Sequence, residues 1–339
     1  MIRTEAELDD LLSRPSQADI EAVSKLQGTL LLLGVAGKMG PTLAMRARRA
    51  VMAAGADLRV IGASRFSSAG SREMLKAAGV ETITADLLHW PDVERLPDAE
   101  NVVFLAGRKF GSSVDAAQTW AMNIQVPAMV CERFKHSRIV AFSSGNVYPI
   151  VPVVSGGATE STPVNPVGEY AQSVLGRERT FEFASAKNGT PVALLRLNYA
   201  VELRYGVLLD IAMAVFERRA IDLRMGAANV IWQGDANSVC LRSFDLCSSP
   251  PAVLNLTGPE TLSVRAVAEK FGKHFGIEPV FEMEETSTAL LNNAGRCHRL
   301  FGYPSVTPDE LIEMTAEWIG MGGGTLGKPT HFETRDGKF

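Results

Sequence analysis

Gly34, Gly37 and Gly40 stand three residues apart, directly after the apolar run 29–33 and directly before a helix-like stretch from Pro41 to Ala54. The order is strand, tight turn, helix N-terminus. Without a Cβ, glycine lets an anion approach the backbone, and the N–H groups and dipole of the helix start stabilise its charge. A pyrophosphate suits such a loop, cradled by Gly34, Val35, Ala36, Gly37, Lys38, Met39 and Gly40. Pro41 fits the first helical turn, where its missing N–H is not needed. A glycine-rich turn without a ligand is the alternative, and the flanking strand and helix weigh against it.

A second point of chemistry follows the second apolar run, Val60-Ile61-Gly62-Ala63-Ser64-Arg65. Where a dinucleotide site uses an acid to bind a ribose 2′-hydroxyl, this chain has Ser64 and then Arg65. A carboxylate would repel a 2′-phosphate, whereas serine and arginine can bind one, so the pair favours NADP over NAD. A solvated surface arginine is the plainer reading of Arg65. Asp86 and Leu87, after the third apolar run, stand where such sites meet the adenine, and Asp86 could equally cap a helix.

These loops need elements to hold them. Strands are expected at 29–34, 58–63, 81–84, 101–106, 138–143, 191–196 and 252–256. Helices are expected at 38–54, 70–78, 115–135, 168–187, 207–218, 263–275 and 307–319. Strand–helix alternation of this kind implies an α/β fold with a doubly wound parallel sheet, an NAD(P)-binding Rossmann fold with a smaller C-terminal substrate lobe. Residues 1–28 read as a helical extension broken at Pro15, with Ser16 a candidate cap. The dinucleotide-binding domain is expected over 29–200, with its last strand near 252–256. The substrate lobe is expected mostly over 201–320, and 321–339 read as an irregular tail.

Formal net charge is −4, which points to neither nucleic acid nor an anionic membrane as a partner. Cys131, Cys240, Cys247 and Cys297 are far apart without metal-ligand spacing and read as reduced thiols, so no metal is expected. No apolar run is long enough for a bilayer, and the start of the chain lacks a signal-like apolar core. A soluble, cytoplasmic protein is the expectation.

Several further segments, in order along the chain, carry a resemblance. They are Leu105-Ala106-Gly107-Arg108-Lys109, Asn123, Phe142-Ser143-Ser144-Gly145-Asn146-Val147-Tyr148, Pro166-Val167-Gly168-Glu169-Tyr170, Leu195-Arg196-Leu197-Asn198 and Asp235. With the glycine loop, this set resembles the extended short-chain dehydrogenase/reductases, the NAD-dependent epimerase/dehydratase type, over roughly residues 29–320. The resemblance implies that Ser144 polarises a substrate oxygen and that Tyr170 transfers a proton. It implies cofactor contacts from Leu105, Ala106, Gly107, Lys109, Asn123, Tyr170 and Leu197. Substrate contacts would come from Ser144, Asn146, Asn198, Arg204 and Trp232, with Arg196 either a further contact or structural. Taken alone, Ser144 could be a strand-end serine satisfied by backbone, and Tyr170 a helix-face tyrosine. Homodimerisation through helices near 115–135 and 168–187 is also implied.

One departure bears on chemistry. The family places a lysine four residues after the tyrosine, where it holds the nicotinamide ribose and lowers the tyrosine pKa; here that residue is Val174. An ordinary phenol, with pKa about 10, is almost wholly protonated at pH 7. Lys109, at the carboxyl edge of the sheet, is the candidate for the missing positive field, or else contacts cofactor or solvent only. Arg177, two turns further along the helix face, is expected to point past the tyrosine. The lobe also lacks family cations against a nucleotide diphosphate. Ala228 stands at one of those positions, and Glu282, Glu284 and Glu285 lie near the other. A smaller hydroxylated substrate, a free sugar, sugar acid or lactone, fits better. The expected activity is hydride transfer at a hydroxyl or ketone carbon of a sugar-derived small molecule. The alternatives are a non-catalytic dinucleotide-binding sensor and a nucleotide-sugar 4-epimerase or dehydratase.

Overall fold

The structure is a computed structural model that describes residues 2–67, 70–109, 111–112 and 114–338. Seven strands form one parallel sheet: β1 (Gly28–Leu33), β2 (Leu58–Ser64), β3 (Glu81–Thr84), β4 (Asn101–Phe104), β5 (Arg138–Ser144), β6 (Val192–Leu197) and β7 (Ala252–Leu256). Their spatial order is β7-β6-β5-β4-β1-β2-β3. The chain winds outward from β1 in one direction and then from β4 in the other. Between these two strands lies the switch point where a doubly wound sheet opens a crevice at its carboxyl ends.

The leucine run of β1 shows how the sheet is held. Side chains alternate between faces. Leu30 and Leu32 pack on one side with Leu43 and Ala47 of the helix that follows, while Leu31 and Leu33 face Val102, Phe104, Val126 and Val130. A strand buried on both faces reads as a continuous apolar run for this reason. The helices are α1 (Glu5–Ser13), α2 (Gln17–Ser24), α3 (Gly40–Ala54), α4 (Ser71–Ala77), α5 (Trp90–Glu94), α6 (Ala116–Trp120), α7 (Val126–Arg133), α8 (Gly168–Asn188), α9 (Val207–Phe216), α10 (Gln233–Arg242), α11 (Val264–Phe275), α12 (Gly295–Phe301) and α13 (Pro308–Gly320).

The single helix expected over 115–135 is broken. A π-helical turn, Ala121–Gln125, separates α6 from α7. Pro127 has no N–H to donate back along the ladder, and the wider turn absorbs that gap. Three helices carried no apolar period and were not expected. In α10 most residues are buried on every side, and Gln233 and Asn237 donate to Thr42 Oγ1 of α3 at 3.2 and 3.1 Å. Burial all round leaves no amphipathic stripe to read. The short α5 and α12, with one buried residue each, have too few turns for a period to show.

The amino-terminal helices are tied in by charge. Ser16 caps α2, as its position after Pro15 suggests. Asp19, fully buried, accepts from Arg46 Nε at 2.8 Å and from Ser238 Oγ, joining α2 to α3 and α10. Leu8 and Leu12 of α1 enter a second core built by α9, α11 and α13.

The sheet's carboxyl edge is fixed by another buried network. Arg196 at the end of β6 forms an ion pair with Glu178 of α8, with Nη2–Oε2 at 2.7 Å and both side chains buried. Glu178 also accepts from Ser143 of β5. Arg196 Nη1 donates to Tyr148 Oη at 2.7 Å, and Tyr148 donates to Asn255 Oδ1 of β7 at 2.8 Å. Arg196 is thus a strut, not a substrate contact. Arg196→Met would strand a buried carboxylate and is expected to cost about 3–5 kcal/mol by urea unfolding. The pair Arg196→Met with Glu178→Leu should recover much of that loss. A single-mutant loss under about 1 kcal/mol would show that the network does not hold the edge.

Candidate active site

The three glycines of the β1–α3 loop have different reasons to be glycine. Gly34 has φ +85°, and a Cβ there would lie 2.8 Å from the Ala106 nitrogen. A Cβ on Gly40 would lie 2.2 Å from the Val35 carbonyl oxygen. Packing alone explains both. A Cβ on Gly37 would meet only the Gly34 oxygen, at 3.3 Å, and Gly37 is exposed on the wall of a cleft. Gly37 therefore leaves bare backbone on the cleft wall. Beside it α3 begins at an N-cap, Met39, that makes no side-chain hydrogen bond to the first turn. Bare backbone facing open space and helix N–H groups left for an anion fit a pyrophosphate.

The cleft encloses about 360 Å³ along the carboxyl edge of β1, β4, β5 and β6. Gly34, Lys38, Met39 and Gly40 line one end, Leu105 and Gly107 the middle, and Ser144, Asn146, Tyr170, Leu197 and Asn198 the other, with Lys109 among them. The structure thus brings the two candidate catalytic hydroxyls and Lys109 into one space. Ser144 ends β5; its Oγ donates to Asn146 Oδ1 at 3.0 Å and accepts from the Asn146 N–H at 3.2 Å. Tyr170 sits in the first turn of α8. The Lys109 ammonium is 5.9 Å from the centre of the Tyr170 ring and donates to the Thr330 carbonyl at 3.1 Å. Asn198 is 2 % exposed, and its Nδ2 has no hydrogen-bond partner among the described residues, so a buried donor waits at the cleft wall.

Val174 is fully buried against Val147, Tyr148 and Ala158. Its site is core, not cleft. Arg177, expected to point past the tyrosine, instead lines the cleft with it. Helical side chains lean toward the helix N-terminus, which brings a long arginine back over two turns. Its guanidinium donates to the Phe142 carbonyl at 2.8 Å and to Asn123 Oδ1 at 2.5 Å, while its Nε has no partner among the described residues. Burial lowers its pKa, and the neighbouring Tyr170 and Glu178 act to raise it.

Two lysines are strongly perturbed. Burial, with the Lys109 and Lys328 ammonium groups adding repulsion, pushes Lys38 down to about 6, against the pull of Asp210 and Glu202. Burial pushes Lys109 down to about 8, with Asp210 and Glu333 acting the other way. Burial also raises the phenols of Tyr199 and Tyr205, which line the same cleft. Tyr199 holds φ +47°, a strained backbone for a non-glycine residue, next to Asn198.

Other expected site residues lie elsewhere. Val35 is fully buried beneath the loop, and Ala106 packs under Gly34. Asn123, fully buried, sits behind the wall, donating to Ser173 Oγ and the Arg108 carbonyl. Ala36, Ser64, Arg65 and Leu87 do not line the cleft, though Ser64 and Arg65 stand at the carboxyl end of β2. Asp86 accepts from the Leu88 N–H at 3.0 Å, which makes it a local turn cap. Two substrate contacts are corrected outright. Arg204 points at the amino-terminal helix, pairing with Asp9 at 2.8 Å and with Glu202 at 3.2 Å. Trp232 is 3 % exposed and packs in the second core.

Among the cleft residues missed from sequence are Arg108, Arg177, Tyr199, Tyr205, Lys328 and Thr330. Lys328 and Thr330 come from the tail after α13. Thr330 donates to Asp210 Oδ2 from its N–H at 2.7 Å and from its Oγ1, Phe332 is buried, and Gly337 packs on Gly168. Gly337-on-Gly168 contact permits an approach that a Cβ on either residue would block. A glycine-flanked tail without period gives no local signal of such docking. The four cysteines are free, and among the described residues no group of acids, histidines and cysteines could hold a metal ion. No helix of the described residues is long and apolar enough to cross a membrane.

Comparison with known proteins places this geometry. No curated protein matches the chain. A UDP-glucose 4-epimerase from Thermotoga maritima, solved with UDP-glucose, superposes with a TM-score of 0.70 at 17% identity, covering 86% of this chain and 98% of that one. A UDP-glucuronic acid 4-epimerase from Bacillus cereus, solved with UDP-glucuronic acid and NAD, gives 0.71 at 17%, covering 86% and 99%. The dTDP-glucose 4,6-dehydratase DesIV from Streptomyces venezuelae, solved with NAD, gives 0.70 at 18%, covering 86% and 97%. At these identities the likeness is one of fold. The model of the NAD dependent epimerase/dehydratase family matches residues 30–201, from the first strand through the glycine cradle, Ser144 and Tyr170 to the end of β6. With just over half of its length matched in this way, the chain belongs to the NAD dependent epimerase/dehydratase family.

Proposed function

We propose that the protein is an NAD(P)-dependent oxidoreductase or epimerase acting at a hydroxyl- or ketone-bearing carbon of a sugar or sugar-derived small molecule. The observation that carries this reading is the meeting of Ser144, Tyr170 and Lys109 in one cleft with the bare Gly37 backbone. Several of the superposable structures hold NAD, which supports the same cofactor class here. Ser64 and Arg65, standing where an acid would bind a 2′-hydroxyl, support NADP.

The dinucleotide supplies hydride exchange when bound. The chain supplies the rest. Ser144 Oγ turns from Asn146 to donate to the substrate oxygen, and Tyr170 Oη gives or takes that oxygen's proton. Lys109 supplies a positive field beside the phenol, in place of the lysine that Val174 replaces, and the fixed Arg177 guanidinium adds to it. Asn198 offers its spare Nδ2–H to a hydroxyl. Exposed Trp120 and Phe183, on α6 and α8, support a homodimer through these helices. The rival reading, a binder without catalysis, is favoured by the apolar burial of Val174.

Denaturing the freshly purified protein and weighing the released dinucleotide tests the cofactor. NADP⁺ is expected, NAD⁺ would overturn the Ser64/Arg65 reading, and a protein that neither releases nor binds any dinucleotide would overturn the function. Tyr170→Phe is expected to lower turnover by about a hundredfold or more with dinucleotide affinity retained. Wild-type protein inert toward free and nucleotide-linked sugars alike, yet binding dinucleotide, would favour the non-catalytic rival. Lys109→Ala should cut turnover by about tenfold and move its pH profile. Unchanged turnover and profile would remove Lys109 from the chemistry.

A further inference from the structure

The described residues after α13 form no helix or strand, yet they run a fixed course along the wall of the cleft. Fixing a backbone costs about 1–2 kcal/mol per residue, so such a course needs ties along its length. The ties are specific. Trp318 Nε1 donates to the Gly324 carbonyl at 2.9 Å, and the Leu326 N–H donates to the Arg204 carbonyl at 3.0 Å. Thr330 donates twice to Asp210 Oδ2, and Phe332 is buried in the second core. Arg335 donates to the Arg224 and Thr288 carbonyls, each at 2.9 Å, and to Thr288 Oγ1 at 2.7 Å. Lys328 and Thr330 line the cleft, while Pro329 and residues 331–336 line a second cavity of about 600 Å³. The tail is therefore a partition between two spaces. Bonds, not close packing from both sides, hold it in place.

Two contacts of this partition reach the candidate catalytic groups. The Thr330 carbonyl accepts from Lys109 Nζ at 3.1 Å, and that ammonium lies 5.9 Å from the centre of the Tyr170 ring. A lysine side chain has many rotamers, and fixing one costs up to about 2 kcal/mol. The Thr330 carbonyl selects among them, and it is aimed in turn by the bonds from its own residue to Asp210 of α9. The second contact is at the start of α8. Tyr170 is the third residue of that helix, whose N-cap, Val167, makes no side-chain hydrogen bond to the first turn. Gly337 packs there instead. A Cβ on Gly337 would lie 2.2 Å from the Val167 carbonyl oxygen, and one on Gly168 would lie 2.4 Å from the Gly337 carbonyl oxygen. Backbone seats directly on backbone, which two glycines make possible.

We propose that Thr330 and Gly337 are positioning residues of the active site. Thr330 orients the Lys109 ammonium toward Tyr170, and Gly337 seats the first turn of α8 so that the Tyr170 hydroxyl keeps its place in the cleft. This rests on Tyr170 and Lys109 carrying the chemistry proposed above. Each positioning residue acts through another group.

The test compares kcat, KM and dinucleotide affinity in the full chain, with turnover read on a panel of free and nucleotide-linked sugars. Wild-type protein that converts none of them overturns the function proposed above and this assignment with it. With an active wild type, Thr330→Val keeps the side-chain shape and removes the hydroxyl bond to Asp210. It should lower kcat by about fivefold or more, with dinucleotide affinity held within about twofold. Thr330→Ser should keep the wild-type rate. In a Lys109→Ala background, Thr330→Val should have no further effect, because the group it positions is gone. Gly337→Val should lower kcat by about tenfold and should add nothing in a Tyr170→Phe background. Arg335→Met frees the same end of the tail without placing a Cβ against α8, and should give the same pattern if Gly337→Val does not fold. Unchanged kcat in these variants overturns the proposal. A raised KM with kcat intact also overturns it, by making the tail a substrate contact only. Losses that add in full to those of Lys109→Ala and Tyr170→Phe overturn it as well, by marking a general loosening of the fold.

Discussion

The buried pair Arg196–Glu178 is the constraint on which the site depends. Glu178 belongs to the helix that carries Tyr170, and Arg196 to the strand that leads into Asn198. Ser143, one residue before Ser144, is bonded to the same carboxylate. Three elements that each present one chemical group to the cleft are therefore fixed through a single charged contact. Tyr148 and Asn255 extend it to the last strand, and Glu160 joins by accepting the Asn255 N–H at 2.9 Å. Buried charge is expensive unless every polar atom is satisfied. Here that expense falls at the edge of the sheet, where a hydroxyl displaced by an ångström would lose its geometry.

Several cations line the cleft around that fixed frame. Where the family pattern has a cation four residues after the tyrosine, this chain buries Val174 in an apolar cluster. Positive charge reaches the same space from below through Arg177, from the β4 loop through Lys109, and from the tail through Lys328. A field depends on the position of charge, not on the element that supplies it.

The parallel sheet and the glycine loop were legible because each rests on local pattern, whereas the spatial order of the strands was not read from it. β1 is an unbroken leucine run since both its faces are covered, and Gly37 shows itself by following that run and preceding a helix. The ordered Ser144 and Tyr170 segments were legible by resemblance. What sequence could not give was direction. Arg204 and Trp232 sit in the right stretch but face an ion-pair cluster and a core. Arg177 was two turns away along the helix and leans back. α10 has no stripe because it is buried all round, and the tail has no period because its docking uses single contacts far apart in the chain.

The tail also sets an order of assembly. Lys109 and the Thr330 carbonyl that it bonds are separated by 221 positions, and Asp210 and Thr330 by 120. Closing such long loops costs conformational entropy before any contact is gained, so contacts of this range form after the strands and helices between them. The glycine loop, by contrast, lies within one strand–turn–helix unit. During folding, therefore, the glycine loop is complete early and the tail-lined wall of the cleft late.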